Sequence, residues 1–312
     1  MKVSIIGAGN VGASVCYLLI AKEISKNVIL VDINRSIAQG KAIDLQQASV
    51  ALVSSTRIQT SSDYKDIENS DIVVITAGIP RRENMSREDL LGTNIKIINE
   101  IVSNIKKFAP NAIIITVSNP LDIMNYAVLK LSNFERRKVI GMGGILDSAR
   151  MAHAILKRLD DKSEFVNACV IGAHGEQMLP LLSHSFVGKK SVNELFDKRT
   201  CEDIINDTKS GGARIVKFLQ TSAYYAPAAA ICILIEAILK NKKEMLTCSV
   251  YLEGEYGIDG VSIGVPAIIG KDGVEEIIEL SLNENELKML HTAAIELKEQ
   301  IKIADKLLKE NV

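Results

Sequence analysis

The order of apolar runs along the chain predicts an α/β protein: a doubly wound parallel sheet with helices on both faces, followed by a second, α+β domain. Two observations carry this prediction. Up to about residue 142, short β-branched runs alternate with longer segments of helical period, and the runs are apolar at consecutive positions, as strands buried on both faces require. From about residue 145 the alternation stops, and Gly and Pro become frequent around 172–188, so we place one domain at 1–144 and a second at 145–312.

Taken in order, the strand-like runs are "KVSII" (2–6), "NVILVD" (27–32), "DIVVITA" (71–77), "AIIITVS" (112–118) and "KVIGM" (138–142). Between the first two, Val11, Val15, Leu18 and Leu19 fall at helical spacing; between the third and fourth, Ile97, Ile98, Ile101, Val102 and Ile105 do the same. In the second half the pattern predicts a helix over 146–159, a strand in "FVNACVIG", and one long apolar helix across 212–240. Hairpin-like runs "CSVYLEG" and "VSIGVPAIIG" follow, then a charged amphipathic helix over about 284–310.

The totals narrow the class of partner. Lys plus Arg is 37 against 38 Asp plus Glu, a net charge of -1, so no global field draws the chain to nucleic acid or to an anionic membrane. Small molecules and copies of itself are the expected partners. Five cysteines at wide spacing contain no C-x-x-C pair, which points to a reducing, cytoplasmic setting and to no metal. The apolar run in "MKVSIIGAGN" is too short for a signal segment, and "YYAPAAAICILIEAIL" is interrupted by Pro227 and Glu236, so a soluble protein is expected.

The stretch "IIGAGNVGASV" sets Gly7, Gly9 and Gly12 between a strand and a helix. Gly7 permits a tight turn, Gly9 lets a pyrophosphate approach the backbone, and Gly12 lets the helix pack close to the strand. The helix start then offers N–H groups and a positive dipole end to phosphates. Asp32 ends the second strand twenty residues after Gly12, where a carboxylate can accept bonds from ribose hydroxyls and repel a 2′-phosphate. A Rossmann-type domain binding NAD rather than NADP is the reading, although Arg35 lies nearby.

Three further groups carry chemistry. His174 in "VIGAHGEQMLP" ends an apolar run with Gly172 and Gly175 close by, a setting open to a ligand; a structural histidine fits the same residues. His153 and His291 fall within helical patterns, and His184 in "HSF" is a weaker competitor. Asp147 and Arg150 in "GGILDSAR" are three apart at a helix start, either as a simple ion pair or with Asp147 on an imidazole and Arg150 gripping a carboxylate. Asn119 in "VSNP" stands at the carboxyl end of a strand, where an amide reaches the ligand crevice or merely begins a turn.

"GAGNVG", Asp32, "TAGIPRRENMSREDLL", "VSNPLD", "GILDSAR", "IGAHGEQMLPLL", "SAYYAPAAA" and "YLEGEYG" follow one another along nearly the whole chain. In that order they resemble the lactate/malate dehydrogenase family, on the side of the lactate-dehydrogenase-like malate dehydrogenases. The resemblance implies that His174 moves the substrate proton, that Asp147 fixes and stabilises its ring, and that Arg150 holds the substrate C1 carboxylate. It implies that Arg87 polarises the reacting carbonyl and that Asn119 contacts substrate beside the nicotinamide. Gly7, Ala8, Gly9, Asn10, Val11, Gly12, Asp32, Asn94, Val117, Ser118 and Asn119 are the implied NAD contacts. A homodimer or homotetramer is also implied, and the apolar segments 42–53 and 212–240 are the candidate interfaces.

Substrate choice rests on Arg81, six residues before Arg87, where the family's lactate dehydrogenases carry glutamine and its malate dehydrogenases arginine. A second carboxylate left unpaired in a closed site costs about 3–5 kcal/mol, so one arginine shifts preference by roughly two to three orders of magnitude. Ala223, where lactate dehydrogenases tend to carry threonine, leaves room for the longer substrate. The implied reaction is reversible NAD-linked oxidation of (S)-malate to oxaloacetate, the alternatives being an L-lactate or broad 2-hydroxyacid dehydrogenase and a non-catalytic NAD-binding protein. Three departures from the usual pattern stand out: Glu83 replaces the proline of the loop tip, Asn84 replaces its glycine, and "GEQM" replaces "GDTM" or "GDSM" after the histidine. They bear on loop motion and affinity more than on reaction type.

Overall fold

The computed structural model describes residues 1–79, 86–160 and 165–310, together with the backbone but not the side chain of Arg87. Six parallel strands form its first half: β1 (Lys2–Ile6), β2 (Asn27–Val31), β3 (Arg57–Ser61), β4 (Ile72–Ile75), β5 (Ile113–Thr116) and β6 (Val139–Gly141). Their spatial order is β3-β2-β1-β4-β5-β6, so the chain reverses direction across the sheet between β1 and β4. A crevice at the carboxyl ends of the strands follows from that reversal.

The connecting helices are α1 (Asn10–Ala21), α2 (Arg35–Ala51), α3 (Arg87–Phe108), α4 (Leu121–Ser132) and α5 (Gly143–Leu156). Strand β3 was not among the sequence expectations, because "RIQTS" contains no apolar run. As an edge strand it buries only Ile58, and pairing with β2 rather than burial of both faces defines it.

The second half extends the same sheet with reversed strands. Its elements are β7 (Val166–Asn167), β8 (Val170–Gly172), β9 (Met178–Pro180), β10 (Phe186–Val187), β11 (Lys190–Ser191), α6 (Val192–Leu195), α7 (Lys198–Leu219), α8 (Tyr225–Leu239), β12 (Glu244–Glu253), β13 (Asp259–Gly270), β14 (Gly273–Ile277) and α9 (Glu284–Glu310). β12 joins β6 through Ser249 and Gly141, and β13, β8 and β9 continue outward, all antiparallel. Helix α1 packs against both α2 and α8, helices α3, α4 and α9 pack together, and one hydrophobic core runs through both halves of the chain.

Two expectations for this half are corrected. The run "FVNACVIG" is not one strand: β7 pairs with β10 in a separate small sheet, and β8 belongs to the main one. The single helix over 212–240 is two helices, since α7 ends where Gln220 turns left-handed at φ 54°. Pro227 then sits in the first turn of α8, where its missing N–H leaves no intrahelical bond unmade.

Candidate active site

The predicted nucleotide turn lies at the carboxyl end of β1. Gly7 has φ +113°, and a Cβ there would stand 2.6 Å from Thr76 Oγ1, so both conformation and space demand glycine. A Cβ on Gly12 would strike the Gly7 carbonyl oxygen, which fixes how closely α1 approaches the turn. Gly9 is different: among the described residues nothing lies within 4 Å of a Cβ placed there. Packing among the described residues therefore does not require glycine here, and no side chain caps the start of α1 beyond it. A pyrophosphate fits that space and those N–H groups.

Asp32 directly follows β2 and is half-buried. Its Oδ2 accepts from Ala8 N–H at 2.7 Å and its Oδ1 from Asn34 N–H at 2.8 Å, so the carboxylate braces the glycine turn. Each oxygen has room for a second donor, such as a ribose hydroxyl. The helix cap, by contrast, is Asn34, whose side chain accepts from Ile37 N–H.

Asn94, almost fully buried in α3, bonds the Ile79 backbone through both ends of its amide and donates to the Asn119 carbonyl at 2.8 Å. It ties the segment after β4 to the segment after β5. Val117 N–H donates to the Ile75 carbonyl, and Ser118 Oγ bonds the Ala77 carbonyl, which completes the tie. Asn119 itself is exposed, and its peptide bond to Pro120 is cis.

Three residues beyond Asn119, Asp122 enters the first turn of α4 with 4% of its surface exposed. Its Oδ2 accepts the His174 backbone N–H at 2.7 Å, and its Oδ1 accepts from Ser249 Oγ at 2.6 Å. On the other side of the histidine, Asp147 is 2% exposed. Its Oδ2 lies 2.7 Å from His174 Nδ1, and its Oδ1 accepts from Arg150 Nη1 at 2.8 Å. An acceptor-only carboxylate assigns the proton to Nδ1 and leaves Nε2 to exchange one.

The Asp147–Arg150 ion pair and the Asp147–imidazole contact therefore share one carboxylate. Burial disfavours a charged imidazole, but the charge and hydrogen bond of Asp147, with Asp122 adding to them, outweigh it against Arg150, and the His174 pKa is raised. Burial also pushes the Asp122 carboxyl up to about 6, against the opposing hydrogen bond from Ser249 and the influence of His174.

The glycines beside His174 divide their work. Gly172, at φ +84°, stacks against Gly264, whose Cβ would lie 2.7 Å from the Gly172 carbonyl oxygen, so it serves packing rather than ligand access. Gly175, at φ +127°, has nothing within 4 Å of a Cβ among the described residues. Gly143 seats the histidine against α5, since a Cβ there would stand 3.1 Å from His174 Cβ and Cγ.

Arg150 lies against Gly211 and Gly212 of α7, and among the described residues its buried Nε has no hydrogen-bond partner. A guanidinium with an unsatisfied edge suits a carboxylate. Arg87 is the first residue of α3, and Ser86 and Asp89 set that start with reciprocal capping bonds. The Arg87 side chain and all of Arg81, Glu83 and Asn84 lie outside the described residues.

Sequence reasoning missed Asp122, Ser249 and the Gly211–Gly212 pair. The first had a signal, an acid within the apolar "LDIMNYAVL" directly after Asn119. Adjacent glycines inside a helix, each costing about 1 kcal/mol relative to alanine, likewise mark a close approach. Ser249 had none, since only the β12–β6 register brings it to α4. His291 and His184 are accounted for locally, by the Tyr256 carbonyl and Ser183 Oγ.

A dinucleotide cradle and a carboxylate-held histidine on one sheet, linked through Asn119 and Asp122, define the class as a two-part, dinucleotide-dependent dehydrogenase. Residues 1–141 match the lactate/malate dehydrogenase NAD binding domain, and residues 145–307 match the alpha/beta C-terminal domain of the same family. The chain belongs to the lactate/malate dehydrogenase family. It is 46% identical to the malate dehydrogenase of a Nitratiruptor species over 305 residues, covering 97% of this chain and 96% of that protein. Among solved structures, the apo malate dehydrogenase of Picrophilus torridus superposes with a TM-score of 0.95 at 36% identity, covering 100% of this chain and 99% of that one. The lactate dehydrogenase of Cryptosporidium parvum, complexed with lactic acid and nicotinamide adenine dinucleotide, has a TM-score of 0.92 at 37% identity, covering 97% and 98%.

Because a Cβ on Gly9 would meet nothing among the described residues, Gly9→Ser is expected to leave the melting temperature unchanged, serine being at least as good a helix cap. It should weaken NADH binding about tenfold or more, measured by fluorescence titration. Unchanged binding would remove Gly9 from the cofactor site.

Proposed function

We propose that the chain is an NAD-dependent malate dehydrogenase interconverting (S)-malate and oxaloacetate. The observation that carries this reading is the 2.7 Å contact between His174 Nδ1 and the buried Asp147, in a family whose relatives at this similarity include a malate dehydrogenase. NAD, when bound, supplies the hydride acceptor. In oxidation His174 Nε2 takes the hydroxyl proton while Asp147 stabilises the resulting imidazolium; in reduction the same proton returns. Arg150 grips the C1 carboxylate, Arg87 polarises the carbonyl where negative charge develops, and Arg81 meets the second carboxylate. Asn119 contacts substrate and cofactor, and Asn94 acts by holding Asn119. Gly7, Ala8, Gly9, Asn10, Val11 and Gly12 line the pyrophosphate, Asp32 takes the ribose, and Val117 and Ser118 complete the cofactor contacts.

Lactate dehydrogenases share this fold closely, as the Cryptosporidium parvum enzyme illustrates, so backbone likeness does not choose the substrate. Arg81 does. The domain division at 144/145 belongs to the same reading, the boundary falling in the first turn of α5, the helix that carries Asp147.

The chain functions as a homodimer or homotetramer in a reducing cytosol. Support for assembly comes from the candidate segments: Val50 and Val53 are 79% and 90% exposed, and Phe218 and Tyr225 are 77% and 72% exposed, an unusual display of large apolar groups. Support for the compartment comes from the five cysteines, all of them free thiols. Among the described residues, no helix is long and apolar enough to cross a membrane.

A steady-state NADH assay across oxaloacetate, pyruvate and 2-oxoglutarate should show oxaloacetate strongly preferred, and a pyruvate preference would refute the assignment. His174→Asn should lower kcat by about 10² to 10⁴ while NADH still binds; unchanged turnover would reject the proton-transfer role. Arg81→Gln should raise the pyruvate-to-oxaloacetate ratio by about two orders of magnitude, and an unaltered ratio would show that Arg81 does not touch substrate. Phe218→Glu should shift the sedimentation mass toward the monomer, and an unshifted mass would place the interface elsewhere.

A further inference from the structure

His174 is held from two directions, and only one of them belongs to the proton-transfer dyad. Asp147 holds the ring through Nδ1 at 2.7 Å. Asp122 holds the backbone of the same residue, its Oδ2 accepting the His174 N–H at 2.7 Å while Ser249 Oγ occupies Oδ1 at 2.6 Å. Nothing in the cofactor cradle or the substrate contacts requires Asp122. A main-chain N–H could be satisfied by any neutral acceptor, yet the chain buries a carboxylate here at 4% exposure, without a cation on either oxygen among the described residues.

An unpaired buried charge is costly, and its placement beside an imidazole that must alternate between neutral and charged forms gives it a use. We propose that Asp122 is a positioning residue for proton transfer, anchoring the His174 backbone to the start of α4 and supplying a second negative charge that favours the imidazolium. The proposal rests on His174 being the proton-transferring group.

The geometry supports both roles. Asp122 lies three residues after Asn119, so one turn of chain sets the distance between the amide at the end of β5 and the histidine at the end of β8. Gly143 closes the other side, since a Cβ there would meet Leu121 Cδ2 at 2.9 Å and His174 Cβ at 3.1 Å. The charged groups acting on His174 among the described residues are Asp147 and Arg150 from α5 and Asp122 from α4. Asp122 in turn feels His174, Asp147 and the hydroxyl of Ser249 from β12. A negative charge near an imidazole raises its pKa, so reduction, which needs the imidazolium, is extended toward higher pH.

The test compares wild type, Asp122→Asn and Ser249→Ala. Asparagine keeps an oxygen for the His174 N–H, and the Ser249 hydroxyl can turn to accept from the new amide, so charge is removed while the bonds are kept. The His174 Cε1–H resonance, assigned by its loss in His174→Asn, is titrated by NMR alongside the pH profile of kcat/KM for oxaloacetate reduction. In Asp122→Asn the titration is expected to fall by about one pH unit, and the alkaline limb of the reduction profile to fall with it, while NADH affinity is unchanged. Ser249→Ala removes a donor from the carboxylate, eases its protonation and should give a smaller shift in the same direction; it decides the matter alone if Asp122→Asn does not fold. An unmoved titration overturns the proposal even where activity drops, since a merely structural aspartate would behave so. The resonance is read without turnover, so failure of the oxaloacetate reading shows in the wild-type assay and failure of this proposal shows in the titration.

Discussion

The site depends on one buried carboxylate. Asp147 is 2% exposed and divides its two oxygens between His174 Nδ1 and Arg150 Nη1. Removing a carboxylate from water costs several kcal/mol before its partners are counted, so the fold must hold those partners in place. Arg150 follows one helical turn along α5, which fixes one side through local geometry alone. His174 arrives from another strand, and its position depends on the sheet.

That dependence explains why the second half of the chain extends the first half's sheet. β6 delivers the start of α5, β12 pairs with β6 through Ser249 and Gly141, and β13 carries β8, at whose end His174 stands. The closest contacts are made by glycines. A Cβ at Gly141 would lie 2.7 Å from Ser249 Cβ, and one at Gly144 would lie 2.5 Å from Thr247 Cγ2. The imidazole is thus placed by stacked main chain with little side-chain freedom between it and Asp147, which is how a dyad keeps its geometry through repeated protonation.

Much of this was legible in the sequence where a local rule applied. The glycine turn, the acid at the end of β2 and the Asp147–Arg150 spacing are short-range patterns, and strands buried on both faces announce themselves as apolar runs. What escaped depended on partners distant in sequence. Ile58 alone marks β3, because an edge strand needs only one neighbour; Ser249 reaches Asp122 across 127 positions, so no spacing could reveal it. The helix expected over 212–240 failed for a different reason: its apolar residues continue on both sides of a left-handed turn at Gln220, and periodicity does not register a break of that kind. Motif resemblance supplied the role of His174, which its own surroundings left open between ligand access and packing.

Charge balance links the described site to the arginines of the loop. Above the Asp122 titration near 6, the two buried aspartates are offset by Arg150 and, once His174 is protonated, by the imidazolium, leaving this part of the site neutral. A dianionic ketoacid therefore enters with two uncompensated charges. With the roles proposed here, Arg81 and Arg87 supply two cations, and the groups facing the substrate balance its charge with oxaloacetate, the cofactor's own charges aside. The same complex with pyruvate carries one excess positive charge in a low-dielectric enclosure, where replacing Arg81 by glutamine restores neutrality. Substrate choice in this reading is a counting constraint on buried charge more than a matter of shape, which is why a fold shared closely with a lactate-bound relative can serve a different acid.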